Sequence, residues 1–405
     1  MKKILAMLLA LVMLFGLVAC GGPAEQQPET PNDDTSANTP VDSDTPEYKD
    51  MGTIMWLSNL TSGAQYDATV AYLTALCNAL GYEFQVVFGD MMNDAATNLQ
   101  YVQQAMTDDV VGMIASQDGG LKDIMDAYPE LWVAGYNCDM RSVYAADGLN
   151  AAVLNNDHYL GTIADGYANG MDLGAVLARQ TIDLGYKKVA IVNFPPFAYP
   201  NLTEAVIGYT AAIEEYNKTA SEPIEIVGEV TTLMFSPLED SWFLEAGRSD
   251  LDAIIGMCAG VQFIYPTMVS AMANGTCSAD TKLITSGFET DPDIIADIGG
   301  DGVITSLTVS AAENPAYALI LIDNAITGKV AAGTSNECVD SAEYTIDSVE
   351  DINNVMTKTL MGTGDAADAH LTVDEVVALC GRSNPDLTWA DIVAAFHGIS
   401  VDELK

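Results

Sequence analysis

Positive charge is scarce in this chain, with 15 lysines and arginines against 57 aspartates and glutamates and a formal net charge of −42. A nucleic-acid-binding surface needs a basic footprint to displace counterions, so that class is excluded. The same deficit disfavours adhesion of a folded body to an anionic membrane, and the acidity reads as solubility and habitat. Histidine is almost missing as well. His158, His370 and His397 are the only three, and none stands in H-E-x-x-H or another metal-ligand spacing. There is no G-x-S-x-G elbow, no Walker-type phosphate loop and no C-x-x-C pair. Adjacent acids such as Asp108-Asp109 and Glu214-Glu215 read as solvated surface. The stretch "DAADAHLTVDE" lacks the glycine and spacing of a calcium loop. It reads instead as a helix entry, with Thr372 and Glu375 forming a capping box. Catalysis therefore has little support, and neither an enzyme activity nor a cofactor or metal is expected.

Long apolar runs are lacking too, apart from one at the start. Lys2 and Lys3 precede an uncharged segment from Ile4 to Val18, shorter than the roughly 20 residues a spanning helix needs, which reads as an export signal. Leu17-Val18-Ala19-Cys20 resembles the lipobox of bacterial lipoproteins, where cleavage before the cysteine leaves it carrying lipid. An ordinary signal peptide with an incidental Cys20 fits less well, because the cysteine follows L-x-A and precedes Gly21-Gly22. Residues 1–19 are thus expected to be a lipoprotein signal peptide. Residues 20–50, rich in acids, Pro, Thr, Ser and Asn, are expected to be a flexible linker that cannot bury enough apolar surface to fold. Six further cysteines remain: Cys77, Cys138, Cys258, Cys277, Cys338 and Cys380. An exported protein could pair them, and the sequence leaves disulfides open. Cys77 and Cys258 lie in apolar runs, where cysteine is commonly a small buried residue.

From Met51 onward the chain of roughly 355 residues exceeds a single core, so two lobes are expected. "GTIMWLS", "EFQVVFG", "VVGMIAS" and "LWVAGYN" read as strands alternating with helices over "YDATVAYLTALCNAL", "DAATNLQYVQQAMT" and "LKDIMDAY". A fifth strand is read at "AAVLNN", before a long helix from about Gly161 to Leu184. The pattern then restarts: "KKVAIVNF", "IEIVGEV", "LDAIIGMC" and "KLITSGF" are strands, separated by helices near "LTEAVIGYTAAIEEY", "FIYPTMVSAMAN" and "PDIIADI". Both halves close a helix on Leu-Gly-Tyr, at Gly81 and Gly185, where glycine supplies a left-handed cap. Strands alternating with helices mean parallel sheets covered on both faces. The fold class is α/β: two doubly wound parallel-sheet lobes joined by a hinge of crossover segments, with a short helical C-terminal extension. Such lobes bind ligands at the carboxyl ends of their strands.

Three stretches carry a family resemblance. "GTIADGYANGMDLGAVLARQTIDLGYKKVAIV" is similar to the helix that crosses into the second lobe of type I periplasmic binding proteins. "DTKLITSGFETDPDIIADIGGDGVITSLTVS" resembles their strand, G-F-D turn, helix and return crossover, and "NPAYALILIDNAITGK" the helix after the return. The likeness spans roughly Gly52 to Lys329 and points to the sugar-binding branch of ABC-importer receptors, related to LacI-type repressors. No helix-turn-helix precedes the first lobe, which sets the repressors aside. The boundaries expected are 51–158 with 308–332 for the first lobe, and 159–307 with 333–405, including a helical tail, for the second. "EYTIDSVEDINNVMTKTL" is read as a final strand and helix, and "LTVDEVVALC" and "TWADIVAAFHG" as two short amphipathic helices.

Candidate ligand contacts are the residues after each strand. In the first lobe these are Ser58 and Asn59, with Gln65 and Tyr66 at the next helix start, then Gln117 and Asp118, then Asn137 and Asp139. In the second they are Asn193, Phe194, Phe197 and Tyr199 in "NFPPFAYPN", then Gln262 and Phe263, then Glu289. Amides and carboxylates interleaved with rings suit a polyhydroxylated molecule. Glu289 stands where the resemblance places the ligand-holding aspartate of the G-F-D turn, while Asp291 and Pro292 have structural roles as helix cap and first turn. The chain departs from the sugar-receptor pattern in two places. "PPFAYPNLTEAV" has no arginine at its helix start, and Cys258-Ala259-Gly260-Val261 replaces Asn-Asp. The resemblance implies a lipid-anchored extracytoplasmic receptor, monomeric, that captures a small polar molecule, a sugar before a nucleoside or other metabolite, and hands it to an ABC permease. Its membrane contact would be through lipid at Cys20 alone. A sensory receptor for a membrane kinase or chemoreceptor is the rival from another class.

Overall fold

The computed structural model describes residues 48–136, 140–145, 148–164, 170–341, 343–396, 401 and 404. The proposed signal, Cys20 and nearly all of the linker lie outside them. Among the described residues thirteen strands form two sheets: β1 (Thr53–Ser58), β2 (Glu83–Phe88), β3 (Val110–Ala115), β4 (Trp132–Tyr136), β5 (Tyr159–Ala164), β6 (Lys188–Asn193), β7 (Glu225–Ile226), β8 (Thr231–Thr232), β9 (Ala253–Met257), β10 (Lys282–Ser286), β11 (Ile304–Ser310), β12 (Cys338–Asp340) and β13 (Glu343–Ile346). The first sheet has the order β12-β5-β4-β3-β1-β2 and is parallel throughout. The second runs β13-β11-β10-β9-β6-β7, with β8 also on β6. In it only β13 is antiparallel, against β11. Helices cover both faces of each sheet, so the central strands are apolar on both sides. Ile54, Met55, Trp56 and Leu57 in β1 and Ala253, Ile254 and Ile255 in β9 are all fully buried, as continuous apolar runs of parallel strands require.

Local signals behave as their chemistry dictates. Gly81, at φ 83°, closes the Ala64–Leu80 helix. Thr372 and Glu375 form a reciprocal capping box, and Asp291 caps the helix that begins at Pro292. Cys77 and Cys258 are buried in the core, and Cys77, Cys258, Cys277 and Cys380 are free thiols. No helix among the described residues is long and apolar enough to cross a membrane.

Three expectations are corrected. "AAVLNN" is a 3₁₀ turn, Ala151–Asn155, and the fifth strand is β5, inside what the sequence reads as helix; the helix proper is Gly170–Asp183. Gly161 explains the switch. It has φ 104°, and a Cβ there would come 2.9 Å from Glu337 O, so only glycine lets the chain leading into β12 lie against β5. Lobe boundaries shift accordingly. β5 and β12 belong to the first sheet, and β11 extends the second to Ser310. Last, the tail expected on the second lobe packs on the first. Tyr72, on the Ala64–Leu80 helix, donates to Leu371 O. Trp389 Nε1 donates to Tyr317 OH at 2.9 Å. Arg382 forms an ion pair with Asp323 at 2.6 Å. Tyr317 and Asp323 lie on the Pro315–Ile326 helix, which backs the first sheet.

Candidate functional site

A crevice of about 860 Å³ opens at the carboxyl ends of both sheets, where parallel α/β sheets place their ligands. From the first lobe, Asn59 follows β1 and Ser116, Gln117 and Asp118 follow β3. Trp56 Nε1 donates to Ser116 Oγ at 2.8 Å, which fixes the floor. Gln117 Nε2 donates to Asp90 O at 2.7 Å. Asp118 accepts from Asn93 Nδ2 at 2.7 Å and from the Ser142 N–H at 2.9 Å. Its two oxygens thus join the loops after β2 and β4. Asn59 Oδ1 and Gln117 Oε1 are buried without a hydrogen-bond partner, acceptors that a hydroxyl donor would satisfy.

The second lobe contributes rings. Phe194, directly after β6, packs against Tyr199 (5.6 Å between centroids), Phe235 (5.1 Å) and, edge-on, Phe263 (5.1 Å). Phe194, Phe197 and Tyr199 face the crevice, while Phe263 stands behind Phe194. Cys258 also lines it, but burial pushes its thiol up to about 12, so it presents a neutral SH and no thiolate.

Of the residues singled out from sequence, Asn59, Gln65, Gln117, Asp118, Phe194, Phe197 and Tyr199 line the crevice. Six others do not. Ser58 is buried and spends its hydroxyl on Leu60 O and N. Tyr66 stacks on Trp56, and Asn193 Oδ1 accepts from the Phe194 N–H in its own turn. Gln262 donates to Phe288 O and Glu289 Oε1, with Phe263 beside it. Glu289 faces the other lobe: a Cβ built on Gly63 would lie 3.4 Å from its Oε1. Asn137 and Asp139 lie outside the described residues. The sequence reading passed over the loop after β2, which brings Met91, Met92, Asn93 and Asp94 to the wall, and over Arg141 and Asn150 after β4. The strand-end rule applied to β2 would have found the former.

Electrostatics are set by acids and by cations already engaged. Asp94, Asp118, Asp123 and Glu343 line the crevice. Lys122 pairs with Asp126. Arg141 crosses the mouth to Glu204 on the second lobe's Pro200–Asn217 helix. That helix packs closely on Gly170–Asp183, where a Cβ on Gly174 would meet Ala205 O at 2.0 Å.

Solved structures share this architecture. An ABC transporter solute-binding protein from Burkholderia graminis, in complex with D-arabinose, is 16% identical at a TM-score of 0.56, covering 77% of this chain and 99% of its own. One from Agrobacterium vitis, bound with α-D-tagatopyranose, is 16% identical at 0.57, covering 76% and 96%. The binding component of the arabinose ABC transporter from a Shewanella species, bound to L-arabinofuranose, is 13% identical at 0.54, covering 73% and 90%. No protein-family profile matches the chain, and no curated protein does. At these identities the likeness establishes the fold, that of the two-lobed type I periplasmic binding proteins.

Proposed function

We propose that this protein is an extracytoplasmic solute receptor that captures a small sugar-like molecule and delivers it to an ABC importer. The observation that carries the reading is the crevice itself. It lies at the carboxyl edges of two sheets, with hydrogen-bonding amides on one lobe and a ring cluster on the other. Amides exchange hydrogen bonds with hydroxyls, and Phe194, Phe197 and Tyr199 offer apolar faces to the C–H side of a sugar ring. The neighbours of like fold are sugar-bound receptors of ABC transporters, which supports the same class here. No residue of the crevice is assigned a catalytic part.

The mechanism is lobe closure. A ligand favours the closed state by as much as it binds that state better, and the closed shape is what a permease would recognise. Lipid at Cys20 would hold the receptor at the membrane, with the following residues as a leash. The test is titration calorimetry and X-ray scattering with a panel of pentoses and hexoses. Binding of one of them, with a more compact scattering profile, supports the reading. Heat released without compaction would sink the closure mechanism. Cys20→Ser in the native host should release the protein from membranes, and a variant still membrane-bound would remove the anchor.

A further inference from the structure

We infer that the ligand is a glycoside without negative charge, a hydroxylated ring joined to an apolar group, rather than a free monosaccharide; the inference rests on the sugar-receptor reading above. Size is the first argument. The lobes already touch across the crevice through Arg141 and Glu204, and Glu289 faces Gly63 with room for little more than a methyl group between them. With the lobes in contact there, the crevice still holds about 860 Å³. That is room for roughly 29 waters at about 30 Å³ each, well beyond what one sugar ring displaces.

The second argument is how polarity changes with depth. Gln117, Asp118 and Asn150 are 7%, 6% and 6% exposed, so the inner wall is made of hydrogen-bonding groups with Phe194 beside them. The outer wall differs. Met91, Met92, Phe197 and Leu149 line the same crevice and are 58%, 42%, 57% and 91% exposed. Large apolar side chains left in water from both lobes at one mouth mark a surface meant to be covered. A second sugar unit would set hydroxyls against these methionines and would leave them unsatisfied. A flat apolar group would cover them.

Charge is the third. A sugar acid or sugar phosphate would meet Asp94, Asp118, Asp123 and Glu343, and both cations of the wall are engaged by carboxylates, Lys122 by Asp126 and Arg141 by Glu204. An anion would have to draw Lys122 or Arg141 from its carboxylate while facing four acids of the wall.

The test is calorimetry on the full chain with matched probes: D-glucose beside phenyl β-D-glucoside, D-ribose beside adenosine and uridine, and glucose 6-phosphate as the anion. At least one glycoside should bind about tenfold or more tightly than its free sugar, the effect of covering one large apolar side chain. Met91→Ala with Met92→Ala should bring that ratio close to one while the free sugar's Kd stays put. Glucose 6-phosphate should give no heat. Free sugars binding as tightly as their glycosides, or the phosphate binding as tightly as glucose, would overturn the inference and leave the sugar-receptor reading standing. No heat from any sugar or glycoside would overturn both.

Discussion

Arg382→Met offers the sharpest test of how the tail is held. Arg382 is 5% exposed at its side chain and Asp323 is 0% exposed, and the two meet at 2.6 Å. Tyr82 OH also donates to Asp323 Oδ1 at 2.9 Å, and Arg382 Nη2 donates to Leu80 O at 2.8 Å. Methionine keeps much of the volume but leaves the carboxylate with only the neutral donors of Tyr82 and Cys380. Breaking a buried pair from one side typically costs about 3–5 kcal/mol, a large part of the roughly 5–15 kcal/mol that holds a domain. The sign of its pH dependence follows from Asp323. Burial already pushes that carboxyl up, against the pull of Arg382 and Tyr82. Removing the guanidinium leaves burial less opposed, so the native variant takes a proton more readily than the unfolded chain. Its deficit should then be small in acid, where Asp323 is neutral, and should grow as pH rises beyond the ordinary carboxylate range. Adding Asp323→Leu should recover most of the loss, because replacing both partners by apolar groups is often neutral or better. Denaturant unfolding of wild type, single and double variants at acid and neutral pH reads all of this. A single variant within about 0.5 kcal/mol of wild type, the range of an ordinary surface change, would refute the buried pair. A double variant no better than the single would refute the reasoning about the stranded charge.

Three further outcomes are expected. Glu204→Gln removes the tie across the crevice without touching its lining. At 30% and 36% side-chain exposure the pair is worth at most about 1 kcal/mol, so the closed-to-open ratio should fall up to about fivefold. Scattering should show expansion that high salt reproduces in wild type, and no expansion would dismiss the tie. Glu313 is fully buried and burial pushes its carboxyl up, so the native state holds that proton more tightly than the unfolded chain. Stability should decline as pH rises through and above the ordinary carboxylate range, and Glu313→Gln should flatten that decline in melting curves; an unchanged slope would contradict it. Phe194→Ala should cost about 3–5 kcal/mol of stability, since the ring is buried among three others. Phe197→Ala, 57% exposed, should stay within about 0.5 kcal/mol and act on binding alone, and equal melting losses would reverse these roles.

The two sheets were legible because parallel strands buried on both faces leave uninterrupted apolar runs, as at β1, β3, β6 and β9. Helix ends were legible where one residue carries the signal, as at Gly81, Asp291 and Thr372. β5 was missed although the turn pairs Asp165-Gly166 and Asn169-Gly170 stand between "YLGTIA" and the helix, because the pairing that makes it a strand comes from Val133 and from Cys338, distant in the chain. The site was half legible. A strand-end position predicts proximity to the crevice but not the direction of a side chain. Ser58 and Asn193 sit at the right depth and turn back to their own backbone, while Arg141, with no motif around it, reaches across to the other lobe.

The tail's place follows from a single helix. From Pro315 to Asn324 every residue of the Pro315–Ile326 helix is buried. A helix lying on one sheet needs only one apolar stripe, and one that is apolar all round needs a second cover. β3, β4 and β5 take one side of it. The other side is met by Trp389 on Tyr317 and by Phe396, whose ring stands edge-on to Tyr317 at 5.7 Å. Polar groups on that outer side are matched in the same way: Asp323 by Arg382, and Asn324 Oδ1 by the Gly381 N–H at 2.6 Å. Between β13 in the second sheet and these contacts on the first lobe, the chain crosses the hinge once more. His370 then donates its backbone N–H to Glu313, just beyond β11, at 3.0 Å. The tail is therefore the missing layer of the first lobe, and the helix in "NPAYALILIDNAITGK" is buried on every side because that layer lies over it.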